Sequence, residues 1–352
     1  MKKKKLIIDT DIGTDFDDAF AVLLAGVSEE VDFLGVTTVW SRAHERARIA
    51  KKVLAIAGRE DVPVFAGISK PIDQSENVWY GYEGGGILDE GDESNDALEP
   101  EKKHAVDFII DTVMANPGEV TLITLGSLSN LAVALIKEPM IAQNLKEVIS
   151  MGGVIVPIVD KMGISRSPIE EYNFNCDKIA TEIVFKSGVN LTIIPIDVTL
   201  KVPVPPTYVQ MLKDCDRPIA KAAYRMLEVW PEQEKILYIS GGVPTEHTDL
   251  WMHDPLCVAT LINRDFVDLF DLHIDIEYGP TFIPRELIVR DDILRTVPKK
   301  LPPNCRVALG VRSEEFAKFI IGRFCKKRAS VWAELTGKAS RRCNSTLNKA
   351  CK

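Results

Sequence analysis

The sequence predicts an α/β protein with a Rossmann-like, mainly parallel central sheet flanked by helices. Short β-branched runs alternate with amphipathic segments through the first two hundred residues, which is how strands joined by crossover helices read in sequence. Most of these runs are apolar at consecutive positions, as strands covered on both faces must be. Glycines at 26, 58 and 188 follow amphipathic segments, where a left-handed residue ends a helix.

The expected strands cover residues 5–8, 31–39, 62–66, 120–125, 147–151 and 191–196. Helices are expected over 17–25, 45–57, 106–115 and 178–186. After Val198 the alternation weakens, and Pro203, Pro205 and Pro206 open a mixed helical region read as an insertion, about 200–252, within one domain spanning 1–328. A helix from near Asp254, a strand over 306–311 and a helix capped by Ser313, with Glu314 and Glu315 in its first turn, complete the core. Residues 329–352 are basic and poor in large apolar side chains, so a disordered tail is expected. Segments 73–99 and 154–171 are polar and irregular, and each follows a strand where α/β proteins place ligand loops.

With 352 residues, 46% hydrophobic and 27% charged, the chain has material for a large core. No apolar run reaches the length of a spanning helix, and the lysines at 2–5 lead into Leu6 without a signal peptide's apolar segment, so no membrane partner and a cytoplasmic location are expected. Seven cysteines, an odd number without paired CxxC spacing, read as reduced thiols. The net charge of −8 combines basic ends with a more acidic body, which argues against nucleic acid as the partner.

The strongest chemical signal is the run from Asp9 to Ala19, where five aspartates lie between an apolar strand and an apolar helix. If that strand is internal, its C-terminal loop faces the ligand crevice, and converging carboxylates repel one another unless a cation neutralises them. Oxygen donors without nearby Cys or His favour Ca²⁺ or Mg²⁺ over zinc. A solvated reading, with Asp17 or Asp18 merely capping the next helix, accounts for one acid and leaves the others unexplained.

Two families carry such a loop. One is the haloacid-dehalogenase-like Mg²⁺ phosphatase, whose D-x-D-G-T pattern is interrupted here by Ile12; 91–96 imitates its second acidic motif without a strand before it. The other is the inosine-uridine-type nucleoside hydrolase family. The opening loop resembles its D-T-D-x-G-x-D-D-A signature with two extra residues. The segment 120–130 is similar to its strand and L-G-P-L-T-N turn, and 151–153 to its next strand end. Residues 168–177 resemble P-x-x-E-F-N-x-x-x-D, and 253–256 match H-D-P-L.

That resemblance implies Ca²⁺-dependent hydrolysis of the N-glycosidic bond of a small-molecule nucleoside by a homodimer or homotetramer. It casts Asp11 as the base that deprotonates the attacking water. It places the metal on Asp11, Asp18, Asp254 and the Leu125 carbonyl, and the substrate against Asp17, Met151, Glu171, Asn173 and Asp254. An oxocarbenium-like transition state suits such an acidic pocket. His253, expected to titrate near neutrality, is read as the donor to the leaving base. A Mg²⁺ phosphatase and a non-catalytic nucleoside- or sugar-binding relative are the alternatives. His44, His104 and His273 are read as structural, and Tyr224, Trp230 and Tyr238 as core rather than base-stacking; Trp79, Tyr80 and Tyr82, in a glycine-rich loop, are more suggestive of a binding surface.

Three positions depart from the family pattern. Trp40-Ser41-Arg42 stand in place of a Gly-Asn pair, Ile164-Ser165 in place of an asparagine, and the run 81–86 has Tyr82-Glu83 and no histidine. The expected metal and base residues are intact while part of the sugar-contacting shell is changed.

Overall fold

The computed structural model describes residues 2–156, 171–240, 250–277, 286–289 and 301–325. The basic tail and Ile164-Ser165 lie outside them. Among the described residues there are ten strands: β1 (Lys4–Thr10), β2 (Val31–Thr38), β3 (Val64–Ala66), β4 (Val120–Thr124), β5 (Glu147–Met151), β6 (Leu191–Ile194), β7 (Val267–Leu272), β8 (Ile274–Glu277), β9 (Glu286–Val289) and β10 (Cys305–Val311). Eight form one sheet in the order β3-β2-β1-β4-β5-β6-β10-β7, and β8 pairs with β9 separately. Every neighbour in the large sheet is parallel except β10 with β7.

Alternation along β1 builds both faces of the core. Leu6 and Ile8 point to one side, which is covered by α1 (Asp17–Val27), α2 (Ala43–Ile56) and later helices; Ile7 points to the other, covered by α3 (Ala105–Ala115), α4 (Ser129–Lys137) and α5 (Ile141–Asn144). The second face continues with α6 (Tyr172–Cys176) and α7 (Lys178–Lys186). The short α8 (Ile196–Thr199) leads into α9 (Pro206–Asp214) and α10 (Pro218–Ser240), which fall within the expected insertion; α11 (Pro255–Ile262) and α12 (Ser313–Cys325) close the first face.

Gly58 and Gly188 follow α2 and α7 with positive φ, as helix-ending residues should. Gly26 does not end a helix: α1 continues to Val27, and a Cβ at Gly26 would stand 3.0 Å from Ala57 Cβ, so close helix packing is what requires glycine there. Among the described residues no helix is long and apolar enough to cross a membrane.

Candidate active site

The chain leaves β1 on one side to form β2 and on the other to meet β4, so the carboxyl ends of β1 and β4 flank the switch point where open α/β sheets bind ligands. The two ends are stitched together by Leu125 N donating to Asp9 O at 2.7 Å. The acidic loop turns at Gly13, whose φ of 115° and whose neighbours, Ile49 Cδ1 at 2.6 Å from an added Cβ, exclude a side chain. Neither Asp17 nor Asp18 caps α1; its N-cap residue is Phe16, which makes no side-chain capping bond. Their carboxylates are therefore turned to the site.

Asp17, Asp18 and Asp254 are buried and each offers a carboxylate oxygen within 4.8 Å of the others. Asp254 arrives from the N-terminus of α11, with its backbone N 3.3 Å from Asp17 Oδ2. Asp11 lies beside this trio, packed so closely on Gly126 that a Cβ there would be 2.9 Å from Asp11 Oδ1. Burial raises all four carboxyls, Asp17 to about 7, and mutual repulsion adds to the rise for Asp17, Asp18 and Asp254. Four buried carboxyls, all raised, with oxygen donors only, fit a hard divalent cation.

Two residues to which the sequence reading gave no role support this floor. Arg46, on α2, is 1% exposed and donates to the carbonyls of Asp11, Ile12, Trp40 and Ser41 and to Thr14 Oγ1. It thereby ties the acidic loop to the loop after β2, where Trp40, Ser41 and Arg42 all have positive φ. Its signal was its position between Ala43, Ala47 and Ala50 on the buried stripe of α2. Asn130 donates to Asp9 Oδ1 at 2.8 Å and Thr38 O at 3.0 Å, and Thr37 Oγ1 donates to Asp9 Oδ1 at 2.6 Å. Asp9 is raised to about 7 by burial.

The remaining expected residues take up definite positions. Asn173 Nδ2 donates to the Leu125 carbonyl at 2.7 Å and reaches Met151 O at 3.3 Å. Glu171 caps α6 and accepts from Asn173 N, Phe174 N and Gly153 N. Of a carboxylate's roughly four acceptor directions, these backbone bonds leave about one for a ligand. His253 is not poised near neutrality: burial pushes its imidazole down to about 4, so the neutral ring prevails at pH 7. Its Nδ1 lies 2.7 Å from Thr199 Oγ1.

The loop 73–99 is fastened to the rest of the fold at several points. Gly84 N donates to Gly13 O at 2.9 Å, Lys52 pairs with Asp89 and Asp92, and Arg225 holds Gly86 O, Ile87 O and Asp89. Asp92, part of the phosphatase-like motif, is thus spent on Lys52. Trp79 lies under Arg42 and Arg46, with ring distances of 5.1 and 5.4 Å. Trp230 is core, edge-on to Phe16 at 6.0 Å, and His104 caps α3.

Buried aspartates at the switch point of a parallel α/β sheet, with His253 next to Asp254 in sequence, make an arrangement able to hold a cation beside a bound ligand. The sequence profile of the inosine-uridine preferring nucleoside hydrolases matches residues 6–318, and the chain belongs to that family of N-glycosyl hydrolases. It is 31% identical over 282 residues to an uncharacterised Schizosaccharomyces pombe protein, covering 78% of this chain and 84% of the other. It is 29% identical over 286 residues to the pyrimidine-specific ribonucleoside hydrolase RihB of Escherichia coli O157:H7, covering 80% and 86%. Among solved structures, a purine-preferring ribonucleoside hydrolase from Gardnerella vaginalis superimposes with a TM-score of 0.73 at 25% identity, covering 92% of this chain and 98% of that one. A plant nucleoside hydrolase, PpNRh1, shares the fold with a TM-score of 0.76 at 24% identity, covering 92% and 99%.

Proposed function

We propose that this chain hydrolyses the N-glycosidic bond of a ribonucleoside, or of a modified ribosyl compound, to free base and ribose in a Ca²⁺-dependent reaction. The observation that carries this reading is the buried cluster of Asp11, Asp17, Asp18 and Asp254 at the switch point of a nucleoside hydrolase chain. Asp11, Asp18, Asp254 and the Leu125 carbonyl would hold the ion, which when bound supplies the positive charge that keeps these carboxylates ionised and acidifies the attacking water. Asp11 takes the proton from that water. Asp17 and Asn173 bind ribose hydroxyls beside Met151, with Glu171 offering its one remaining acceptor direction, and the negative charge of the two carboxylates favours the cationic sugar of the transition state over the ground state.

His253 serves the departing base as a hydrogen-bond donor through Nε2, a role open to the neutral imidazole that burial favours. The relatives include pyrimidine-specific and purine-preferring enzymes, so the base is left open. A homodimer or homotetramer is part of the same reading, checked by light scattering on the full chain.

The test is reducing-sugar release over a panel of ribonucleosides and deoxyribonucleosides, with and without a chelator. Release that falls on chelation and returns with Ca²⁺ supports the proposal. Tight nucleoside binding with no release from any member would replace it with a non-catalytic relative.

A further inference from the structure

One departure from the family pattern meets, in space, an aromatic residue of a motif that is otherwise kept. Trp40 replaces part of the Gly-Asn pair after β2, and Tyr172 stands where the E-F-N motif has phenylalanine. The two are 132 residues apart in sequence, yet Trp40 Nε1 donates to the Tyr172 hydroxyl at 2.9 Å, and their rings pack edge to face at 6.2 Å. Neither residue of the usual pattern makes this bond, since phenylalanine has no hydroxyl and a Gly-Asn pair has no indole.

The contact lies beside the site. Trp40 is 5% exposed, and the Arg46 guanidinium grips its carbonyl, holding a backbone that has positive φ at three successive non-glycine residues. Tyr172 is 40% exposed and lies between Glu171 and Asn173 in sequence, close enough to Asp11 to feel its charge. A phenol has one proton to give, and accepting from the indole does not use it. Cys176, one turn along α6, lies close enough to interact with this hydroxyl. A thiol is a weak partner, so a nucleoside oxygen or nitrogen competes with it easily.

We infer that Tyr172, oriented by Trp40, donates a hydrogen bond to an acceptor of the bound nucleoside and is a specificity-determining residue of this site. Tyr172 touches the substrate; Trp40 is a positioning residue that acts through it. The pair supplies a contact in place of one that the altered shell gave up. This inference rests on the nucleoside hydrolase reading.

The experiment compares wild type, Tyr172→Phe, Trp40→Phe and the double variant. Each is assayed on the best ribonucleoside, its 2′-, 3′- and 5′-deoxy analogues, and base analogues lacking one ring or exocyclic acceptor. Tyr172→Phe keeps the ring and should lower kcat/KM on the parent roughly 5- to 100-fold. On the one analogue that lacks the partner atom it should cost nothing, which identifies that atom as belonging to sugar or base. Trp40→Phe should produce a smaller loss, and the double variant should be no worse than Tyr172→Phe alone.

Equal losses on every analogue, or additive losses in the double variant, would overturn the inference. So would Tyr172→Phe matching wild type throughout. Failure of the underlying reading looks different, since wild type itself would then release no sugar from any nucleoside. If Trp40→Phe does not fold, the Tyr172→Phe panel alone decides.

Discussion

The Thr199 hydroxyl lies 2.7 Å from Nδ1 of His253 and 3.3 Å from the Ile196 carbonyl. Assigning its single proton to the shorter contact puts the ring's own proton on Nε2. His253→Ala should slow natural nucleosides far more than a p-nitrophenyl riboside, whose departure needs no donor. Thr199→Val should show the same selectivity at about 3- to 10-fold, the value of one hydrogen bond. Equal losses on both substrates would make the pair structural.

Asp11→Asn removes the proposed base. Turnover should fall by at least about 10²–10⁴-fold. The metal-free protein should unfold at the same or a higher temperature, because one of four repelling carboxylates has gone. Gly126→Ala tests the same group from the other side, since the added methyl would meet Asp11 Oδ1 at 2.9 Å and displace it. Activity near wild type in either variant would remove Asp11 from the mechanism.

The aspartates also set a pH dependence. Asp9 and Asp17 are raised to about 7, and Asp11, Asp18 and Asp254 are raised as well, so between about pH 4 and 7 the metal-free native state holds protons that the unfolded chain has lost. Metal-free stability should therefore fall as pH rises through that window. His253, lowered to about 4, works in the opposite sense but is a single group. Calorimetry with a chelator should show Tm decreasing from pH 5 to pH 7.5, and Ca²⁺ should restore it most at the upper end. A metal-free Tm that rises across this range would contradict the assignment.

Arg46→Met leaves the carbonyls of Asp11, Ile12, Trp40 and Ser41 without their donor. Removing one partner from such a buried network should cost about 3–5 kcal/mol, read from the denaturant midpoint. A cost within about 0.5 kcal/mol, as at an ordinary surface site, would show that water takes over those bonds.

Density of one kind of residue made much of this molecule readable from sequence. β5 and α7 have the bounds their patterns imply, because unbroken apolar runs and a 3.6-residue period are local properties. The five aspartates stood out for the same reason. β7 was missed because its burial does not alternate and its pairing with β10 is antiparallel at the sheet's edge. Thr199 with His253 and Trp40 with Tyr172 were not legible because each contact joins distant segments. Arg46 reads as a solvated cation until its helix phase is drawn.

The site's two walls answer differently to ionic strength. The floor is bound by buried groups, Arg46 and Asn130 among them, which mobile ions do not reach. The far wall, residues 84–99, is pinned by Lys52 and Arg225 to exposed Asp89 and by Arg48 to half-exposed Glu99. Such pairs are screened over a Debye length of about 10 Å at 0.1 M salt. Raising salt should thus loosen that wall while leaving the acidic floor set, so substrate capture becomes salt-sensitive and the chemical step does not.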